Sequence, residues 1–199
     1  MNEKHVKRWD AAAATFDFFT MGIERRYGGY KRELFSKAQG RVMIVAAGTG
    51  LDFKYFPAGL DITAIDFSPK MVSKAKQKAE GYNGRLEVMV ADVMNLEFED
   101  ASFDTVATAC TFCSVPDPVA GLREVRRVLK PGGKLLMFEH VRAGNLLLGA
   151  MMDVMALATS FSGPGLNRRT ADNIRKAGFK ITREYNIYLD VVKLFEASH

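Results

Sequence analysis

The chain has 199 residues, 48% of them hydrophobic and 26% charged, enough for one α/β domain with a substantial core. Its 28 basic and 23 acidic residues leave a net charge of +5 spread over many short clusters. Charge alone therefore does not choose between two solvated helix faces and attraction to anionic lipid or nucleic acid. The opening MNEKHVKRWD lacks the apolar core and small-residue cleavage site of a signal peptide, so the expected location is cytoplasmic.

Residues 1–40 read as a helical preface. Val6, Trp9, Ala13, Phe16 and Phe19 recur at roughly helical spacing, and a second amphipathic helix, Glu24–Phe35, is expected to be interrupted at Gly28-Gly29. Val42–Gly50, VMIVAAGTG, is an unbroken apolar run ending in a glycine turn, as a parallel strand buried on both faces requires. A second apolar strand, Asp61–Ile65, ends in Asp66. Ser68 can cap, and Pro69 start, a helix with Met71, Val72, Ala75 and Ala79 on one side. A third strand, Leu86–Val90, ends in Ala91-Asp92, and a fourth covers Phe103–Ala109.

The only two cysteines, Cys110 and Cys113, follow that fourth strand rather than opening a helix, and with three scattered histidines they form no zinc site. Asp117-Pro118 starts a helix with Leu122, Val125 and Leu129 inward, which Pro131-Gly132-Gly133 should stop before the strand Lys134–Phe138. Leu146–Phe161 is as long as a buried helix but short of the roughly 20 apolar residues needed to cross a bilayer. A helix Thr170–Ala177, stopped at Gly178, precedes two alternating runs, Phe179–Ile187 and Asp190–Glu196, that read as an antiparallel pair.

The alternation from Arg41 onward predicts a doubly wound α/β sheet. In such a sheet the carboxylate closing the strand after the glycine turn, Asp66, can accept from both hydroxyls of a ribose, and Asp92 can accept from an adenine amino group. A dinucleotide dehydrogenase would want a third glycine where bulky Phe53 stands, so the pattern favours an adenosine without phosphates.

Four segments in this order, Ala46–Gly50 (AAGTG), Ala64–Lys76, Val90–Asp104 and Leu122–Arg142, resemble the class I S-adenosylmethionine-dependent methyltransferases. The resemblance implies a Rossmann-like fold: a mostly parallel seven-stranded sheet with an antiparallel C-terminal strand and N-terminal lid helices. It implies a single methyltransferase domain over 1–199, with lid helices in 1–40, the cofactor-binding core in 41–141, an acceptor-site helix and loop in 142–169, and a C-terminal helix and hairpin in 170–199. The implied cofactor is S-adenosyl-L-methionine. Ala46, Ala47, Gly48, Thr49 and Gly50 would approach it through backbone, Asp66 take the ribose, Phe67 pack on adenine, Asp92 and Val93 read its amino edge, and Cys110 and Thr111 lie beneath the methionine portion.

Two positions depart from the pattern. Ile44 stands where an acid usually helps fix the methionine amino end, and Ala46 replaces the first glycine. Either another acid, such as Asp52, takes over or the affinity is reduced, and the rival reading is a cofactor-binding protein without turnover.

Glu139–Arg142, the apolar helix and Gly163–Thr170 resemble a subgroup that includes quinone C-methyltransferases, phospholipid N-methyltransferases and thiol S-methyltransferases. The implied acceptor is small and lipophilic or lipid-like, with peripheral membrane contact. Phe16, Phe19, Tyr27, Phe112 and Met152 are its candidate contacts, Arg142 and Arg168 could pair with a phosphate headgroup, and His140 is the candidate base. Each has a plain structural alternative as core, cap or satisfied histidine. Nucleic-acid methylation is disfavoured, because ATACTFCSVPDP lacks the Asn/Asp-Pro-Pro-aromatic signature.

Overall fold

The computed structural model describes residues 3–159, 165 and 167–199. Helices α1 (Glu3–Ala12) and α2 (Phe16–Phe35) precede β1 (Arg41–Val45), and a 3-10 turn, Phe53–Tyr55, separates β1 from β2 (Asp61–Asp66). Then follow α3 (Pro69–Ala79), β3 (Arg85–Val90), β4 (Phe103–Ala109), α4 (Pro118–Val128) and β5 (Leu129–His140). The chain closes with α5 (Leu146–Thr159), α6 (Thr170–Lys176), β6 (Lys180–Tyr188) and β7 (Val192–Ser198).

The seven strands form one sheet in the order β3-β2-β1-β4-β5-β7-β6. All neighbours are parallel except those of β7, which runs antiparallel to both β5 and β6. Alternation along each strand divides the core into two layers. Met43, Val45, Val106 and Phe195 pack beneath Leu122 and Val125 of α4, whereas Val42, Ile44, Leu136 and Phe138 pack beneath Leu34 and Phe35 of α2 and Val72 of α3. Burial on both faces is why the central strands read as continuous apolar runs.

The expected caps are in place. The Ser68 hydroxyl accepts from Met71 N at 3.2 Å, and Asp117 accepts from Val119 N and Ala120 N.

Two expectations are corrected. The preface breaks at Ala13–Thr15, and α2 then runs without interruption through Gly28-Gly29. Gly28 is there for space, since a Cβ would lie 2.5 Å from the Tyr55 hydroxyl. Pro131-Gly132-Gly133 does not end a helix directly: α4 stops at Val128, and β5 already begins at Leu129, which pairs with Phe103. The next pairing is Thr105 with Lys134, so the segment between bulges out, with Gly132 at φ +75°. Phe161, Gly163 and Pro164, invoked for the acceptor helix and loop, lie outside the described residues.

Candidate functional site

The strand order reverses direction between β1 and β4, and at such a switch point an open α/β sheet leaves a crevice at its carboxyl edge. Both strands leave that edge through a left-handed residue that is not glycine, Ala46 at φ +53° and Cys110 at φ +51°. An L side chain resists this conformation, so the surrounding bonds must hold it. Ala47 N donates to Ile65 O, and Cys110 N donates to Phe138 O. The two chains splay apart over a cavity of about 290 Å³.

Its floor and far wall come from strand ends: Ala46 and Gly48 after β1, Asp66 and Phe67 after β2, Val93 after β3, and Cys110 and Thr111 after β4. Trp9, Phe16, Thr20 and Ile23 of the N-terminal helices form the other side. The roof is fastened by the acid that follows each aromatic residue. Asp10 accepts from the Ser68 hydroxyl and Lys70 N, while Asp17 accepts from the Thr49 hydroxyl and from Lys78 Nζ at 2.7 Å. These donors hold both carboxyls below the ordinary aspartate value, Asp17 against the opposing effect of burial.

Asp66 is buried, and its two oxygens are aimed by backbone: Oδ2 accepts from Gly48 N and Oδ1 from Ser68 N, each at 2.9 Å. Burial pushes its pKa up against those two bonds. Phe67 N–H also acts on the carboxylate, which as an ion can still gain from a further donor. On the roof, the indole Nε1 of Trp9 is buried without a hydrogen-bond partner. A cavity with spare acceptors on one side and an orphaned donor on the other fits an adenosyl group.

Where the motif acid is missing, Ile44 is buried in the apolar layer that also contains Tyr55 and Phe138. A charged cluster borders this layer. Lys31 Nζ donates to Glu24 Oε1 at 2.6 Å and Asp52 Oδ1 at 2.9 Å and lies 5.3 Å from the Phe138 ring centroid. Burial alone would lower this ammonium, but the two carboxylates raise its pKa above the ordinary lysine value.

Thr49 is buried on the Asp17 latch, Ala47 faces the α2 layer, and Gly50 sits at φ +83° where a Cβ would meet Phe53 at 2.6 Å. Asp92 accepts from Met94 N beside the lining residue Val93.

Of the proposed acceptor contacts, only Phe16 lines the cavity. Phe19 is 73% exposed, Tyr27 packs on Phe138, and Phe112 is fully buried in the α4 layer. Arg142 is not free for a phosphate, because it chelates Asp153 through Nε and Nη2. Met152 is buried, its sulfur accepting from Ala143 N, and Arg168 donates to Val115 O. His140 ends β5 half-buried, with its pKa lowered by burial, and is not among the cavity's lining residues.

Cys113, read from the sequence as lying in or beside the cofactor floor, lines the wall together with Ser114 and Val115, which were given no role, and Glu139 was read only as the start of the Glu139–Arg142 stretch. Glu139 is fully buried, accepts from Thr108 Oγ1, Thr111 N and Phe112 N, and is pushed by burial up to about 7.

Residues 43–137 match the family described as "Methyltransferase domain". A ubiquinone/menaquinone biosynthesis C-methyltransferase from Geotalea daltonii is 37% identical over 148 residues, 69% of this chain and 63% of that protein. The chain thus spans under two thirds of the length of that relative. A phosphatidylethanolamine N-methyltransferase from Cereibacter sphaeroides is 30% identical over 155 residues, 77% of this chain and 74% of that protein. The crystal structure of a methyltransferase from Thermotoga maritima superposes with a TM-score of 0.73 at 19% identity, over 96% of this chain and 98% of that one, a likeness of fold. With its sheet order, its glycine turn and these relatives, the chain belongs to the S-adenosylmethionine-dependent methyltransferase family.

Proposed function

We propose that the chain is a single-domain methyltransferase that binds S-adenosyl-L-methionine in the cavity at the β1/β4 switch point. Its acceptor is a small lipophilic or lipid-like molecule: a phospholipid amine, a quinone precursor or a thiol. The observation that carries the cofactor assignment is Asp66, a buried carboxylate aimed by two backbone N–H groups and left with spare acceptor capacity.

The bound cofactor supplies a methyl on a cationic sulfur, which leaves as a neutral thioether and needs no acid. What remains for the chain is positioning, which can lower a barrier by roughly 7–11 kcal/mol. The latched roof covers one side, the left-handed residues Ala46 and Cys110 set the floor, and the apolar wall suits an acceptor with little charge.

Peripheral contact with a membrane is part of the proposal. Leu146, Leu147, Met151, Val154 and Met155 of α5, Phe18 and Phe19 of α2, and Leu189 at the β6–β7 turn are all exposed. These segments adjoin one another: Arg26 of α2 lies 4.0 Å from the Tyr188 ring centroid, and Asp190 accepts from Gly144 N just before α5. No described helix is long and apolar enough to cross a bilayer. An exposed apolar rim at the sheet's carboxyl edge suits an acceptor drawn from lipid.

Calorimetric titration with the cofactor tests the first part. Asp66→Ala should weaken binding by roughly 1.5–3 kcal/mol, the value of hydrogen bonds to a charged group. Unchanged affinity would place the ribose elsewhere. Labelled cofactor offered with a thiol, a quinone precursor and phosphatidylethanolamine tests the second; tight cofactor binding with no transfer to any of them would support a binding protein without turnover.

A further inference from the structure

Glu139 is the buried acid that this account of the reaction leaves unused. It stands on β5 with no exposed surface, and its three recorded partners are neutral donors: Oε1 accepts from the Thr108 hydroxyl at 2.8 Å and Thr111 N at 3.2 Å, and Oε2 from Phe112 N at 3.2 Å. No cation pairs with it among the described residues. A buried carboxylate without a counter-ion is costly, so its retention calls for a reason.

Its position supplies one. Thr111 lines the cavity, and its N–H is bonded to Glu139, so the carboxylate lies one backbone layer beneath the floor. The same bonds, with that of Cys110 N to Phe138 O, fix the turn in which Cys110 adopts its left-handed conformation. We propose that Glu139 is a positioning residue for the methyl-bearing end of the cofactor: it shapes the Cys110–Val115 floor and, as a carboxylate lacking its own cation, favours positive charge above it. A sulfonium is then held better than the thioether left after transfer, which would ease product release. This rests on the cofactor reading above.

The groups around Glu139 leave that charge unanswered. On its own loop stand the thiols of Cys110, which is exposed to the cavity, and of buried Cys113, pushed up by burial to about 12. Lys193, its partner in register on β7, is engaged by Glu184 and Asp190. Arg168 donates to Val115 O. Lys31, beyond Cys110 on the α2 side, is held by Glu24 and Asp52. His140, next along β5, has its pKa lowered by burial, and α4 contributes apolar Leu122 and Val125 to this layer. Burial pushes the Glu139 carboxyl up to about 7. By linkage, a bound cation draws its proton off, and the ionised form in turn binds the cation better.

The test is calorimetry with S-adenosylmethionine and its demethylated product at pH 6 and pH 8, on the wild-type chain and on Glu139→Gln. The ligands' amino groups also titrate near this range, so the readout is the difference between the two proteins. The preference for cofactor over product should rise with pH more in the wild type, by a factor on the order of ten, the scale of two unit charges about 10 Å apart at an effective dielectric of about 20. Thr108→Val removes one donor and should move the wild-type transition to higher pH, which serves if Glu139→Gln does not fold. Equal pH dependence in wild type and Glu139→Gln, or in wild type and Thr108→Val, would overturn the inference while leaving cofactor binding intact. Should the wild type bind neither compound, the cofactor reading falls, and this one with it.

Discussion

The cavity side and the rim side of the sheet's carboxyl edge are built in opposite ways. Around the cavity the buried charged groups are held in place: Asp66 by two N–H groups, Asp17 by Thr49 and Lys78, Lys31 by Glu24 and Asp52, and Glu139 by three donors. Around the rim, Arg142 pairs with Asp153 of α5 and Met152 is buried, while Leu146 and Leu147 are more than 80% exposed. Burying one such leucine is worth roughly 1.5–3 kcal/mol, a gain the described residues do not collect. The difference teaches where specificity is stored. Under the proposed function, fixed donors and acceptors would meet an invariant adenosyl group, and exposed apolar surface would meet a lipophilic acceptor.

The comparison breaks first at Lys31. Lys31→Met leaves the Glu24 and Asp52 carboxylates facing each other with little solvent, and should cost about 3 kcal/mol in chemical denaturation. The Lys31 part of the cluster should hold across neutral pH, since a raised lysine pKa contributes stability that is complete below the ordinary value, 10.5, and is lost only as pH climbs through the folded-state value, whereas burial pushes the Asp52 carboxyl up and opposes it. A loss under 0.5 kcal/mol for Lys31→Met would mean that the roof helix does not depend on this cluster.

A smaller effect of opposite sign is expected at Ala46. Its φ of +53° suits glycine, so Ala46→Gly should raise stability by about 0.5–1 kcal/mol, with the greater unfolded-state freedom of glycine offsetting part of the relief. Destabilisation would show that the Ala46 methyl group contributes more by lining the cavity than its conformation costs.

The smallest change in stability belongs to the rim. Leu146→Glu with Leu147→Glu should shift stability by no more than about 0.5 kcal/mol, since neither side chain is buried. The same pair should abolish flotation with liposomes if the rim meets lipid. Flotation unchanged by the pair, or absent already in the wild type, removes the membrane from the proposal.

Sequence made the elements legible and the tertiary partners of single side chains opaque for a physical reason. β1, α3 and α4 were readable because their signals are local: an unbroken apolar run, a capping Ser68 or Asp117, a proline at the first helical turn. Asp66 was legible because a strand end fixes where its side chain points. Arg142, Tyr27, Phe112 and Met152 carry suitable chemistry, but their partners Asp153, Phe138, the α4 layer and Ala143 are set by tertiary packing that no spacing reveals. Gly28 looked like a helix breaker for the same reason, because the Tyr55 hydroxyl that occupies its missing side chain lies 27 residues further along the chain. Glu139 was passed over because a carboxylate in an apolar strand announces its burial only when the neighbouring turn is seen to fold over it.

The most direct measurement is a crystal structure of the chain soaked with S-adenosylmethionine. The account predicts both ribose hydroxyls within hydrogen-bond distance of Asp66, the base beside Phe67 and the methionine end over Cys110 and Thr111. A ribose bound away from Asp66, or a cavity that stays empty at saturating ligand, would contradict it.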